Sequence, residues 1–243
     1  MATYTGGKGG SGVYQKIISM MPPHKVYIEP FLGNGFVLRN KKPAELNIGI
    51  EIDEKVIADY WKGDEISNLY LVNENCLPRL ENGDWITSNP KETLIYCDPP
   101  YLLETRRSQR QLYRYDMMTE EQHYELLRIL IDLPCLVMIS GYASEFYDSI
   151  LHGWRYDYFH TTNRAGERTT EYVYMNFPEP MELHDYTHLG EDYRERQDIK
   201  RQRQRWINNL EKMPMQKRFA LMSAIEEFKA SRTGESADDR ATA

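Results

Sequence analysis

The chain has 243 residues, 41% of them hydrophobic and 28% charged, with a formal net charge of −7. That is enough for one good-sized core with an appendage, and no apolar run reaches the roughly 20 residues that cross a bilayer. The acidic balance argues against a protein that coats nucleic acid but leaves room for an enzyme that meets DNA on one local face.

The chain opens on Tyr4-Thr5-Gly6-Gly7-Lys8, which by itself reads as a loose glycine-rich start with a solvated lysine. Its spacing is not that of a phosphate-binding P-loop. No charged leader followed by an apolar stretch is seen, so a secretion signal is not expected. Residues 25–29 form the first predicted strand, leading into Pro30-Phe31-Leu32-Gly33-Asn34-Gly35. Glycines there let backbone approach a ligand at the end of a strand. Residues 46–51 predict a second strand, and Glu51 closes it where an acid commonly takes ribose hydroxyls. Asp53 competes for that role but suits the N-cap of a helix over 53–61. Strands follow at 69–73 and 94–98. Thr119 and Gln122 make a capping box for a helix with Tyr124, Leu127, Leu130 and Ile131 on one side. A fifth strand at 136–140, a helix at 144–151 and a hairpin of 154–161 with 169–177 complete the sheet. Short strands alternating with helices predict an α/β fold with a mostly parallel sheet and an antiparallel C-terminal hairpin. The first domain is therefore expected over 1–184.

Beyond Pro178 and Pro180 the composition changes. A charged helix at 191–210 and a second at 215–229 form a helical extension over 185–230, and 231–243 is polar and small, the pattern of a disordered tail. Cys76, Cys97 and Cys135 lie beside apolar residues without metal spacing, which suggests reduced core thiols, no metal and a cytoplasmic setting.

Asp98-Pro99-Pro100-Tyr101, directly after Leu94-Ile95-Tyr96-Cys97, carries the most chemical information. A carboxylate accepts a hydrogen bond from an amino group, a tyrosine face stacks on a flat ring, and neither proline has an N–H to compete. In order and content these motifs resemble the Dam-type DNA adenine methyltransferases, phage-borne members included, over about residues 4–177. The resemblance implies a Rossmann-like methyltransferase sheet and methyl transfer from S-adenosylmethionine to the exocyclic nitrogen of adenine in double-stranded DNA. It implies Tyr4, Lys8, Pro30, Phe31, Gly33, Gly35 and Glu51 as cofactor contacts, with Asp53 and Asn75 as further candidates beside Asp98. It also implies Asp98, Pro99, Pro100 and Tyr101 as the catalytic turn. Ser140-Gly141-Tyr142 and Glu171-Tyr172 look like landmarks near the target base, although both tyrosines could equally be half-buried aromatics.

The target atom lies inside a duplex, so the base has to leave the stack, and transfer is expected as a direct displacement without a covalent enzyme intermediate. Cys97 should point away from Asp98 into the core. Arg106, Arg107, Arg110 and Arg114, in the long segment after the catalytic turn, are candidate DNA contacts. Arg164 and Arg168 in the hairpin turn could touch phosphates, and Arg201 and Arg205 lie on the basic helix. No long insertion between Gly35 and Asp98 houses target recognition, which departs from the usual Dam layout. Methylation of cytosine N4, RNA adenine or a glutamine side chain, an inactive DNA-binding relative, and a dinucleotide oxidoreductase are the competing readings. The sequence specifies neither target site, companion nuclease, homodimer nor strand preference.

Overall fold

The computed structural model describes residues 6–10, 12–63, 66–83, 85, 89–106, 110–117, 119–162 and 168–238. Two compact units emerge, Met1–Glu191 and Asp192–Ala243. In the first, strands β1 (Val26–Glu29), β2 (Leu46–Ile50), β3 (Leu69–Val72), β4 (Thr93–Cys97), β5 (Leu136–Tyr142), β6 (Arg155–Thr162) and β7 (Arg168–Met175) form one sheet. Their order is β3-β2-β1-β4-β5-β7-β6. The first five run parallel; β7 pairs antiparallel with both β5 and β6. This is the fold class predicted from the alternation of strands and helices.

Side-chain alternation along the strands divides the core into two layers. Ile95 and Cys97 face one side, where α4 (Cys76–Asn82), α5 (Glu120–Asp132) and α6 (Glu145–Ile150) pack through Leu80, Leu126, Leu130 and Tyr147. Leu94 and Tyr96 face the other, against α1 (Val13–Ile18) and α2 (Phe36–Asn40). A strand buried on both faces reads as a continuous apolar run, and all of β4 is buried. Cys97 is fully buried on the side opposite Tyr96, as alternation predicts, and all three cysteines are free and buried.

The capping box on α5 is present as expected, but the helix is rotated from its predicted phase. His123, Leu126, Leu127 and Leu130 are buried, while Tyr124 and Ile131 are exposed. The cause is His123, whose Nδ1 bonds the Tyr147 hydroxyl at 2.8 Å inside the core. Asp53 caps α3 (Glu54–Tyr60) by accepting the Lys55 N–H. The first unit also extends past residue 184, where the composition changes. Asp185 accepts the Lys42 N–H at 2.9 Å, and His188 bonds the Asn40 carbonyl at 3.0 Å, tying this segment to the end of α2.

The second unit consists of α7 (Tyr193–Lys212) and α8 (Met215–Asp238), broken at Met213-Pro214 as predicted. The second helix runs to Asp238, past the end at 229 that the pattern predicts and into the expected tail; 239–243 lie outside the described residues. Among the described residues no helix is long and apolar enough to cross a membrane.

The strand order reverses between β1 and β4, and in open α/β sheets ligands bind at the carboxyl ends of strands at such a reversal. Gly35 shapes this edge. It adopts φ 62° at the N-cap of α2, and a Cβ there would run into the Trp61 ring. Left-handed backbone costs a non-glycine residue roughly 1–2 kcal/mol before any clash. Gly35→Ala should therefore lower unfolding stability by about 2 kcal/mol or more in urea titration; a change within error would show that this turn tolerates a side chain.

Candidate active site

Acids end three adjacent strands and face a cleft of about 680 Å3 at this edge: Glu29 after β1, Glu51 after β2 and Asp98 after β4. The cleft also meets Pro30, Phe31, Gly33 and Asn75.

Glu51 is a structural clasp. Its Oε2 accepts the Gly33 N–H at 2.8 Å and its Oε1 accepts the Asp53 N–H at 2.9 Å. The carboxylate thus joins the glycine turn to the start of α3, and the Ile52 N–H also bears on it. Burial raises its pKa against these backbone bonds. Trp61 completes the turn by donating its indole N–H to the Gly33 carbonyl at 2.8 Å. Asn75 caps α4 by accepting the Leu77 N–H at 3.1 Å.

The chemistry gathers around Lys8. Its ammonium lies 2.9 Å from Asp98 Oδ1 and 2.9 Å from Glu171 Oε2, and is largely buried between them. It also donates to the Tyr101 hydroxyl. Tyr101 donates to the same Glu171 oxygen at 2.8 Å, and its ring meets Tyr142 edge-on with centroids 4.6 Å apart. Burial pulls the Lys8 pKa down, but the two carboxylates outweigh it and hold the ammonium above its usual range. Burial raises Asp98, with Lys8 opposing; for Glu171 the burial effect is outweighed by Lys8 and the hydroxyl donors, so it stays ionised more readily than usual. Two carboxylates around one ammonium leave one net negative charge.

Leu112–Met117 line the same cleft. Arg106, expected on a DNA-facing surface, is instead buried: its guanidinium forks onto both oxygens of Asp116 at 2.6 and 2.8 Å and its Nε donates to the Tyr101 carbonyl. Leu112 adds its N–H to Asp116 at 2.9 Å. Arg114 reaches Glu54 at 2.8 Å and Asp53 at 3.2 Å, on α3. Its guanidinium is thereby committed within the protein. Arg110, Arg168, Arg201 and Arg205 are exposed, the last two on α7. Tyr4, Arg107 and Arg164 lie outside the described residues.

The structure therefore brings Lys8, Gly33, Glu51, Asp53, Asn75, Asp98 and Pro100 onto one cleft. Gly35 acts through turn shape. Glu171 joins the site while its neighbour Tyr172 faces the opposite side of the hairpin. Glu29 and Tyr113 also line the cleft but carry no sequence assignment. The repeated pattern of an acid closing a buried strand was the available signal for Glu29. Among the described residues no group of His, Cys, Asp and Glu could hold a metal ion.

No protein-family model matches the chain, and none of the curated proteins does. Solved structures similar to it include a SAM-dependent methyltransferase from Agrobacterium tumefaciens, 11% identical, covering 66% of this chain and 58% of that one at a TM-score of 0.45. An rRNA methylase from Streptococcus thermophilus is 13% identical over 68% and 92% at 0.39. A precorrin 8w decarboxylase from Methanobacterium thermoautotrophicum is 10% identical over 67% and 86% at 0.42. What the cleft does is read from its own side chains.

Burial pushes the Glu29 carboxyl up to about 8 although Tyr27 donates to it at 2.8 Å. The folded protein then holds a proton that the unfolded chain releases near the ordinary carboxylate range, so this group makes stability fall as pH rises from about 4.5 toward 8. Lys41, lowered to about 7 by burial, acts in the opposite sense above that pH. Melting temperatures of wild type and Glu29→Gln between pH 5 and 7 isolate the effect: the wild-type curve should fall more steeply, and parallel curves would contradict it. Arg106→Ala leaves Asp116 charged and unpaired, a loss of about 3–5 kcal/mol for a buried pair. Chemical denaturation should show a loss of that size; under 1 kcal/mol would mean that the Arg106–Asp116 pair is dispensable for the fold.

Proposed function

We propose that this protein transfers a methyl group from S-adenosylmethionine to the exocyclic N6 of adenine in DNA. The observation that carries the proposal is Asp98, followed by Pro99, Pro100 and Tyr101, at the end of β4 in an acid-rimmed cleft beside the Gly33 turn. A volume of about 680 Å3 lies within the range of roughly 300–1,000 Å3 that encloses a cofactor-sized ligand. Glu51, Asp53 and Asp98 on its lining disfavour a pyrophosphate and favour a cation, which separates this proposal from a dinucleotide oxidoreductase.

The residues present fit S-adenosylmethionine. Glu51, on the cleft lining at the end of β2, is the ribose acceptor. Asn75 and Asp53 border the same space, the positive-φ Gly33 lets backbone come close, and Pro30 and Phe31 supply apolar contact. When bound, this cofactor would supply an electrophilic methyl group on a positively charged sulfur.

On the acceptor side, Lys8 occupies Asp98 Oδ1, leaving Oδ2 for an amine hydrogen, and the Pro99 carbonyl takes the other. Drawing on both hydrogens localises the lone pair on the amine nitrogen. Charge complementarity follows from the net negative charge of the Lys8, Asp98 and Glu171 group, which favours the positive charge that grows on the amine. Asp98, its pKa raised by burial, is the base within reach of the proton the amine then loses. Glu171 and Lys8 fix the Tyr101 ring, on which the base would stack. Stacking there returns roughly 1–3 kcal/mol against an eversion cost of a few kcal/mol.

Purified protein incubated with S-adenosylmethionine and unmodified DNA, followed by nucleoside mass spectrometry, should yield N6-methyladenine. Asp98→Ala should reduce turnover at least 1,000-fold, roughly the loss of a base and an orienting acceptor together, with the melting temperature little changed. N4-methylcytosine would move the assignment to another amine. No methylated base, or an active Asp98→Ala, would overturn the proposal.

A further inference from the structure

Strand β6 alternates half-buried and exposed residues, and its exposed side carries Tyr156, Tyr158 and His160 where polar side chains are the rule. Tyr156 is 57% and Tyr158 53% exposed. Across the hairpin, Tyr156 pairs with Tyr174, Tyr158 with Tyr172, His160 with Thr170 and Thr162 with Arg168. Directly paired residues share a face, so Arg168 lies at the tip end of the same stripe. The rings are held in order: Tyr156 and Tyr158 each contact Tyr172, with centroids 5.6 and 5.7 Å apart. The inner layer is anchored by the Tyr174 hydroxyl donating to Asp148 at 2.9 Å, and His160 is steadied by Thr170 at 3.0 Å.

The stripe and the candidate site lie on opposite faces of the same hairpin. On its opposite face β7 presents Glu171 to Lys8 and Tyr101. Arg168–Thr170 run beyond the last pair with β5, Tyr142 with Glu171, at the edge where the catalytic turn lies. A row of rigid exposed rings ending in a cation is the arrangement that holds unpaired nucleobases: π-faces stack bases of any sequence and a basic side chain takes phosphate.

We infer that the exposed Tyr156–Tyr158–His160 face, with Arg168, binds single-stranded DNA that runs on from the base held at Asp98. The inference rests on the proposed methyl transfer to DNA for the identity of its ligand, and it assigns the hairpin a role that the motifs around the cleft do not. An exposed aromatic surface, more than a net basic one, then lets a chain of net charge −7 hold DNA.

Fluorescence anisotropy with a labelled 20-nucleotide single strand tests this, using wild type, the Tyr156→Ala/Tyr158→Ala double variant and the corresponding Phe double variant. The Ala variant should lose at least roughly 30-fold in affinity, as removal of two stacking faces predicts, while the Phe variant binds as wild type does. S-adenosylmethionine binding by calorimetry should be equal in all three, which separates loss of the stripe from loss of the fold. Wild type that binds the strand but methylates nothing would refute the proposed function and leave the stripe intact. Wild type that methylates DNA while the Ala variant keeps its single-strand affinity would refute the stripe alone. Preference for an RNA strand, no single-strand binding by wild type, or a self-associating wild type dissociated by the Ala changes would each overturn the inference.

Discussion

One ammonium organises the active end of this molecule. Lys8 comes from the glycine-rich start, Asp98 from the end of β4 and Glu171 from β7, and their side chains meet within 2.9 Å. Burying two carboxylates and a lysine separately would be very costly; together they are mutually compensated. The mutual requirement seats the N-terminal segment on the sheet, orients Tyr101 through Glu171 and keeps Asp98 on the wall of the cleft. Removing Lys8 would leave two like charges facing each other, so the arrangement holds as a group.

The rest of the edge is built by the same device, a carboxylate capturing local donors. Glu51 binds two backbone N–H groups and so shapes the Gly33 turn. Asp116 gathers Arg106 and the Leu112 N–H and so fixes the segment behind Tyr101. Arg114 ties that segment to α3. Acids thus serve twice, as internal fasteners and as the negative lining of the cleft, and the lining selects the charge of what can enter.

Much of this was legible in the sequence because it is local. A buried strand is a run of apolar residues, and an acid or a glycine turn at its end marks the ligand edge: β1, β2 and β4 all read this way. The Thr119–Gln122 capping box and the Asp53 cap were legible for the same reason. Helices α1, α2 and α4, of 6, 5 and 7 residues, were not read from the sequence; so short a helix shows little periodicity. Arg106 was misread because charge is visible in a sequence and its partner is not; Asp116 lies ten positions away and nothing local announces that the two pair. The Glu171 role needed the antiparallel register, which sets that residue beside Tyr142. The rotation of α5 turned on a histidine placed inside the core, an exception to the apolar pattern.

The arrangement makes a geometric claim that can be measured directly. A crystal structure of the protein with S-adenosylhomocysteine should have the ribose hydroxyls on Glu51 and the sulfur facing the Asp98–Tyr101 turn, with Lys8 still between Asp98 and Glu171. A ligand bound elsewhere on the molecule, or a cleft left empty at saturating ligand, would contradict the account.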